Sequence, residues 1–314
     1  MIVIAIIFAT AVFVPGLVLA AFVAANWAPD RPLSELKARW APPPSPFVYV
    51  QGMNVHLRDE GPRSDAVPIV LLHGTSSSLH TWDGWAQELK AKRRVIRFDL
   101  PGIGLTGPPP DADYRIERYV RFIIAMLDEL GVPRCVLAGN SFGGQVAWET
   151  ALAHPARVEQ LILVDAAGYP FQPVSLPIGF RIARIPGLNR LMEFTLPRRV
   201  IESSLRNVYA DPGKVTPELV DRYFELTLRA GNRRALAQRF AQAPAGIHPD
   251  RIVALKLPTL ILWGGRDRLI PRGDAERFHR DIAGSRLILF ERLGHVPQEE
   301  DPAATVAAVE QFLS

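Results

Sequence analysis

From Phe47 to the C-terminus, short unbroken apolar runs bounded by glycine or proline alternate with stretches in which apolar positions recur every three or four residues. The runs are VPIVLLHG, RVIRFDLPG, CVLAGNS, LILVDAAG, LPTLILWGG and RLILFERLGH. Continuous Val/Ile/Leu runs of this length suit strands buried on both faces, and the periodic stretches between them suit crossover helices. The pattern predicts an α/β fold: a mostly parallel central sheet with flanking helices. Ahead of it, FVYV and NVHLRDEG on either side of Gln51-Gly52 predict a β-hairpin. One interval breaks the rhythm. From about 169 to 256 there is no strand-like run, only helical pieces such as TPELVDRYFELTLRAGNRRALAQRFAQ. That is too long for a structureless loop in a compact domain, so a helical lid inserted over one edge of the sheet is expected.

The N-terminal segment follows another pattern. MIVIAIIFATAVFVPGLVLAAFVAANW carries no charged side chain, and its apolar run from Ile2 to Ala25 is long enough to cross a bilayer as a helix. Residues 1–26 therefore read as an uncleaved transmembrane anchor. A signal sequence cut after VAA at Ala25, with export of the remainder, is the alternative, but it lacks a basic n-region. Arg31, Lys37 and Arg39 follow the span, which by the positive-inside rule favours a cytoplasmic catalytic domain. Leu33, Leu36 and Trp40 fall on one face of a short helix, and Trp27 and Trp40 suit headgroup depth. The prolines at 42–44 and 46 make a stiff spacer. The expected organisation is an anchor at 1–26, an interfacial helix and Pro-rich linker at 27–46, and a catalytic domain with its lid at 47–314.

Composition narrows the function classes. The 314 residues are 48% apolar and 22% charged, enough to bury a sizeable core. Thirty-six Lys and Arg against 32 Asp and Glu leave a formal charge of +4 with no basic run interleaved with aromatics, so nucleic acid is not an expected partner. The single cysteine, Cys135, lies inside an apolar run; it permits no internal disulfide and has no companions for a metal site. No Gly-rich phosphate loop is present, and no cofactor is expected.

The chemistry concentrates in LAGNSFGGQVAW, Leu137 to Trp148, where GNSFG fits G-x-S-x-G between a strand and a helix. Gly139, Asn140, Gly143 and Gly144 leave room for a sharp turn that exposes the Ser141 hydroxyl at the carboxyl end of the sheet. A serine is a weak nucleophile and needs a base oriented by a third group. Asp267 in GGRDRLIP and His295 in RLGHVPQEEDP follow consecutive late strands, in the order Ser, Asp, His. Asp165, after LILVDAAG, is the competing acid. In LLHGTSSS, His73 and Gly74 bring the Thr75 amide into place; with the Phe142 amide it would form a two-donor oxyanion hole. His73 precedes the serine and reads as a turn residue. Asp99 is expected to brace the Pro101-Gly102 turn, and His56, His80, His154, His248 and His279 read as isolated structural or surface residues.

On HG, DLPGIG, GNSFGG, GGRDRLIP and GHVPQEEDP, each in family order, the chain from Phe47 onward resembles the α/β-hydrolase superfamily. The resemblance implies a Ser-Asp-His hydrolase, and Ser141 separates it from members with an aspartate nucleophile. GNS is similar to the elbow of the hydrolases that cleave carbon–carbon bonds in meta-cleavage products, which carry a tryptophan after the catalytic histidine where this chain has Val296. An N-terminal helix with a lid also resembles tethered monoacylglycerol lipases. The leading expectation is hydrolysis of a lipophilic carboxylic ester under an apolar ceiling of Phe171, Leu176, Ile178, Phe180, Leu188, Leu191, Met192 and Phe194. Carbon–carbon bond hydrolysis is the first alternative, and a non-catalytic membrane-tethered scaffold is the second. Arginines at 181, 184, 190, 198, 199 and 206 give the lid a positive balance suited to anionic headgroups or acidic substrates.

Overall fold

The structure, a computed structural model, describes residues 17–314 apart from 19, 171, 186 and 244–248. The apolar runs become strands: β1 (Phe47–Val50), β2 (Met53–Glu60), β3 (Ile69–Leu72), β4 (Val95–Phe98), β5 (Cys135–Asn140), β6 (Val158–Val164), β7 (Thr259–Gly264) and β8 (Arg286–Phe290). They form one sheet in the order β1-β2-β4-β3-β5-β6-β7-β8. The pairs β1/β2 and β2/β4 are antiparallel, and every other neighbouring pair is parallel. Gln51 and Gly52 both take positive φ, 50° and 83°, the backbone that lets a two-residue turn match the twist of the flanking strands.

Period two decides which side chain faces which layer. On β3, Val70 and Leu72 enter one core with α3 (Ile116–Glu129), α4 (Phe142–Ala153) and α8 (Arg272–Asp281). Ile69 and Leu71 enter the other, with α2 (Asp83–Leu89) and α9 (Pro302–Leu313). Fully burying each such side chain contributes about 1.5–3 kcal/mol, so both faces of the central strands favour hydrophobic residues. Trp82 and Trp85 fill the second layer edge-to-face at 4.8 Å, and Trp85 Nε1 donates to Thr305 Oγ1 at 2.8 Å. A buried indole keeps its polar atom satisfied this way.

Between β6 and β7 the chain makes two short helices, Ile178–Ala183 and Leu188–Leu191, then α5 (Arg198–Val208), α6 (Pro217–Thr227) and α7 (Asn232–Gln242). The Thr216 side chain caps α6 by accepting from Leu219 N–H, with Pro217 in the first turn where its missing N–H costs nothing.

The segment ahead of the hairpin departs from expectation. Helix α1 (Leu33–Trp40) does not offer its apolar face outward: Leu36 and Trp40 are buried against Leu105 and Leu226. Trp40 Nε1 donates to Glu225 Oε2 at 2.6 Å, and Arg39 Nη1 donates to Glu225 Oε1 at 2.8 Å. The Trp40 indole N–H is thus satisfied by a carboxylate on α6. Farther upstream, Trp27 is exposed, stacks on Phe194 at 5.9 Å and bridges Thr195. Most of the anchor expected at 1–26 lies outside the described residues. Among those described, residues 20–25 are helical, Leu17, Val18 and Phe22 are exposed, and no helix is long and apolar enough to cross a membrane.

Candidate active site

Ser141 sits between the end of β5 and the start of α4 with φ 56° and ψ −118°, a backbone strained for any residue with a Cβ. The glycines make that turn sterically possible. A Cβ on Gly139 would lie 2.2 Å from the carbonyl oxygen of Gly143, and one on Gly143 would lie 2.3 Å from that of Leu72. The turn is held by backbone bonds: Ser141 N–H donates to Val164 O, and Ser141 O accepts from Gln145 and Ala167 N–H. Its hydroxyl has no hydrogen-bond partner among the described residues.

The histidine loop arrives from β8. His295 Nδ1 and Asp267 Oδ2 are 2.7 Å apart, both residues buried. The other Asp267 oxygen accepts the amides of Leu269 and Ile270 at 2.7 and 3.0 Å, which fixes the carboxylate so that it cannot rotate away. Asn140, one residue before the serine, donates through Nδ2 to the carbonyls of His295, at 3.0 Å, and Val164, at 3.1 Å. That side chain joins the serine turn to the histidine loop. The competing acid, Asp165, lies close by: its carboxylate, that of Asp267 and the imidazole each place one atom within 4.8 Å of the others. Asp165 instead accepts Gly264 N–H at 2.9 Å, and burial beside the Asp267 carboxylate raises its pKa well above the usual range. Asp267 bonds the imidazole, and Asp165 lies behind it where burial and the Asp267 carboxylate disfavour its charged form.

On the other side of Ser141, a Cβ on Gly74 would lie 3.1 Å from Ser141 Cβ, so the Gly74–Thr75 turn runs along the serine. The Thr75 and Phe142 amides donate to no described group. His73 is held in its turn: Nδ1 bonds Gly74 O at 2.8 Å, Nε2 accepts Leu100 N–H at 3.0 Å, and burial lowers its pKa, so the ring is neutral. Asp99 accepts the amides of Leu79 and Leu105 and bonds His56 Nδ1 at 2.9 Å. Burial opposes its charge, yet the imidazole of His56 holds its pKa down at about 2. His56 is thus a paired residue, with an acid partner 43 positions away that local spacing does not reveal.

Two cavities open beneath the insertion. The larger, about 640 Å³, is lined by Thr75, Phe180, Met192, Ile201, Val208 and Leu236 among others. Of the expected ceiling, Phe180 and Met192 line it, Leu176 packs on the main core, and Ile178, Leu188 and Phe194 are exposed; Phe171 lies outside the described residues. The smaller cavity, about 430 Å³, shares Ser76, Thr227 and Leu236 with the first and is walled by Tyr114, Asn232 and Arg239. The insertion also clamps the histidine loop. His295 N–H donates to Val208 O at 2.8 Å, and Glu300 accepts Gly294 N–H at 2.7 Å and Ala210 N–H at 3.0 Å. Val296 packs with Leu205, Tyr209, Val215 and Val220. Glu300 and Arg239 escaped the sequence reading, because one looks like a surface acid and the other like the solvated face of a helix.

A family model described as "alpha/beta hydrolase fold" matches residues 67–302. The chain belongs to the α/β-hydrolase family. It is an enzyme of that family by fold and by relatives. It is 30% identical over 282 residues to a 2-hydroxymuconate semialdehyde hydrolase from a Pseudomonas species, covering 85% of this chain and 93% of that one. It is also 30% identical over 281 residues to a 2-hydroxy-6-oxo-2,4-heptadienoate hydrolase from Pseudomonas putida, covering 85% and 95%. Among solved structures, a meta-cleavage product hydrolase from Pseudomonas fluorescens superposes with a TM-score of 0.71 at 27% identity, covering 86% and 96%.

Proposed function

We propose that this hydrolase cleaves a carbon–carbon bond beside a ketone in an unsaturated diketo acid, with ester cleavage as the second reading. The observation that carries hydrolysis at a carbonyl is the buried His295–Asp267 pair joined through Asn140 to the strained Ser141 turn. The carbon–carbon reading draws its support from relatives named for such reactions across most of their length. In that reaction Ser141 Oγ adds to the ketone carbon while His295 takes its proton, and Asp267 stabilises the imidazolium. The Thr75 and Phe142 amides receive the oxyanion. The carbon–carbon bond then breaks, its electron pair delocalising into the conjugated second carbonyl, and that fragment takes a proton. Water activated by His295 releases the carboxylic acid from Ser141. The serine hydroxyl reaches the imidazole as substrate binds, since such bonds tighten in the loaded enzyme.

Ester cleavage, our leading expectation from sequence, gives way to this reading, and two observations keep it in view. The larger cavity is lined mainly by apolar side chains, and Val296 packs into the insertion where a tryptophan stands in the carbon–carbon hydrolases. A direct competition decides. A 2-hydroxy-6-oxohexa-2,4-dienoate carrying a 6-alkyl or 6-phenyl group is followed by loss of its conjugated absorbance, alongside p-nitrophenyl esters from acetate to laurate, with Ser141→Ala as control. Dienoate turnover with the higher kcat/KM, lost in the variant, supports carbon–carbon cleavage; ester turnover without dienoate turnover hands the site to the second reading.

The apolar N-terminal run serves as a membrane tether in this proposal, and the helical insertion acts as the lid. Flotation of the full chain with lipid vesicles, and loss of flotation in a chain starting at Asn26, would support the tether; a full chain that stays with the soluble fraction would end it.

A further inference from the structure

The loop that carries His295 is threaded between the end of β7 and the helical insertion, and the fit is tightest one residue before the histidine. A Cβ on Gly294 would lie 2.5 Å from the carbonyl oxygen of Val208, 2.6 Å from the amide nitrogen of Ala210 and 2.8 Å from Glu300 Oε1. A Cβ on Gly264, where β7 gives way to the turn holding Asp267, would collide with the carbonyl oxygen of Gly294. Gly294 therefore has the backbone leading to the acid on one side and the end of α5 on the other. Main-chain groups packed this closely must find partners there, because water cannot reach them.

One buried carboxylate supplies them. Glu300 Oε1 accepts Gly294 N–H at 2.7 Å, and Oε2 accepts the N–H groups of Ala210 at 3.0 Å and Asp211 at 3.4 Å. Both oxygens accept, which is the bonding of the ionised acid, and hydrogen bonds to a charged acceptor are stronger than neutral ones. Lys214 Nζ donates to the main-chain oxygen of Glu300 at 2.5 Å, so the insertion grips the residue a second time. The neighbouring acid adds another hold on α6: Glu299 pairs with Arg222 and accepts from Tyr223 Oη at 3.0 Å. The bonds of the Glu300 carboxylate thus go to main chain, one residue away from the imidazole it would serve.

We propose that Glu300 is a positioning residue for His295: its carboxylate ties Gly294 N–H to the chain just after α5, so the placement of the imidazole depends on the α5–α6 half of the insertion being seated. This rests on the reading of His295 as the base that serves Ser141, and it does not depend on which bond breaks. A second bond acts on the next residue, since His295 N–H donates to Val208 O at 2.8 Å. Two adjacent amides, Gly294 and His295, are thus held by Glu300 and by the last residue of α5, which fixes both the position and the tilt of the peptide between them. The imidazole has to meet the serine hydroxyl while it keeps its bond to Asp267, and an error of about 1 Å in such an arrangement can cost about 100-fold in rate. The α5–α6 half of the insertion therefore belongs to the frame of the catalytic groups.

The test uses the full chain carrying Glu300→Gln, which keeps the shape of the side chain. Glutamine has one acceptor oxygen, and its NH₂ faces an N–H group on whichever side the oxygen does not serve, so one arm of the clamp opens. With p-nitrophenyl butyrate or the dienoate, whichever the wild-type enzyme turns over, kcat is expected to fall about 10- to 100-fold while KM stays within about twofold. In parallel, the proton between His295 Nδ1 and Asp267 is followed by proton NMR in the enzyme without substrate, its downfield signal assigned by its loss in His295→Gln. That signal should shift or broaden in Glu300→Gln well below the variant's thermal midpoint. A residue that only supports the fold would lower the midpoint and leave kcat and the signal as in wild type, and this result overturns the proposal. A raised KM with unchanged kcat would assign Glu300 to substrate entry and overturns it as well. If Glu300→Gln does not fold, Glu300→Asp keeps the charge but reaches only one arm, and wild-type kcat and signal in that variant overturn the proposal. If the wild-type chain turns over neither substrate, the reading of the site fails for both, while the NMR comparison still decides whether Glu300 places the imidazole.

Discussion

Replacing Asp267 separates the two carboxylates behind His295, and the structure gives a different expectation for each replacement. In Asp267→Asn the amide oxygen can keep the Leu269 and Ile270 N–H bonds that now fix Oδ1. The amide NH₂ then faces His295 Nδ1, where the carboxylate stood at 2.7 Å. Facing a donor, Nδ1 must accept, so the ring proton moves to Nε2 and the base can no longer take the serine proton. Loss of the working tautomer in a Ser-His-Asp enzyme costs about 10³–10⁴ in kcat, or about 4–5.5 kcal/mol. Asp267→Ala is expected to be milder. Burial remains, but the change removes the Asp267 charge, the second cause of the raised Asp165 pKa, so that pKa falls and this acid, already within 4.8 Å of the imidazole, can take the bond. Asp267→Ala should therefore retain about tenfold more kcat than Asp267→Asn, and adding Asp165→Asn should remove that advantage. Single-turnover hydrolysis of p-nitrophenyl butyrate, with circular dichroism melts for each variant and Ser141→Ala as the floor, measures this. An Asp267→Asn enzyme keeping more than about a tenth of wild-type kcat would refute the tautomer argument, and a double variant equal to Asp267→Ala would refute the reserve role of Asp165.

Three further outcomes follow from burial. Asp165→Asn alone should flatten the pH dependence of stability: the folded state keeps a proton that the unfolded chain releases near 3.8, so wild-type stability falls as pH rises above that value toward the raised folded pKa, and urea midpoints from pH 4 to 8 should fall less in the variant. Cys135 is fully buried, and burial pushes its thiol up to about 12, so the native protein should resist a disulfide reagent over hours while the unfolded chain reacts with one equivalent; rapid native labelling would contradict the packing of β5. Trp40→Ala should cost about 3–5 kcal/mol in urea unfolding, whereas a chain starting at Asn26 should unfold like the full chain; a harmless Trp40→Ala would mean that α1 does not pack on α6 in solution.

What the sequence disclosed and what it withheld divide along a physical line. Strands buried on both faces must be apolar at every position, so LILV or TLILW announces itself locally, and the sharp turn at Ser141 announces itself through glycines that no other residue can replace. The order Ser141, Asp267, His295 was legible because each follows its own strand, and the strand order carries all three to one sheet edge. Partnerships across the chain left no such trace. His56 finds Asp99 only because β2 lies beside β4, and Trp40 finds Glu225 across 185 positions. The face of α1 that looked suited to a membrane has the same composition as one suited to α6, since both solvents reward a leucine and an indole. Arg239 was the hardest case. On an isolated helix it belongs to the polar side, and only the closing of α7 over Thr75 and Phe142 turns that polar side inward. The same helix pattern serves a surface or a site, and the difference lies in whether the buried charge meets an acid of its own chain. Here, among the described residues, it meets no acid and is held instead by the Thr75 hydroxyl and the Phe142 ring.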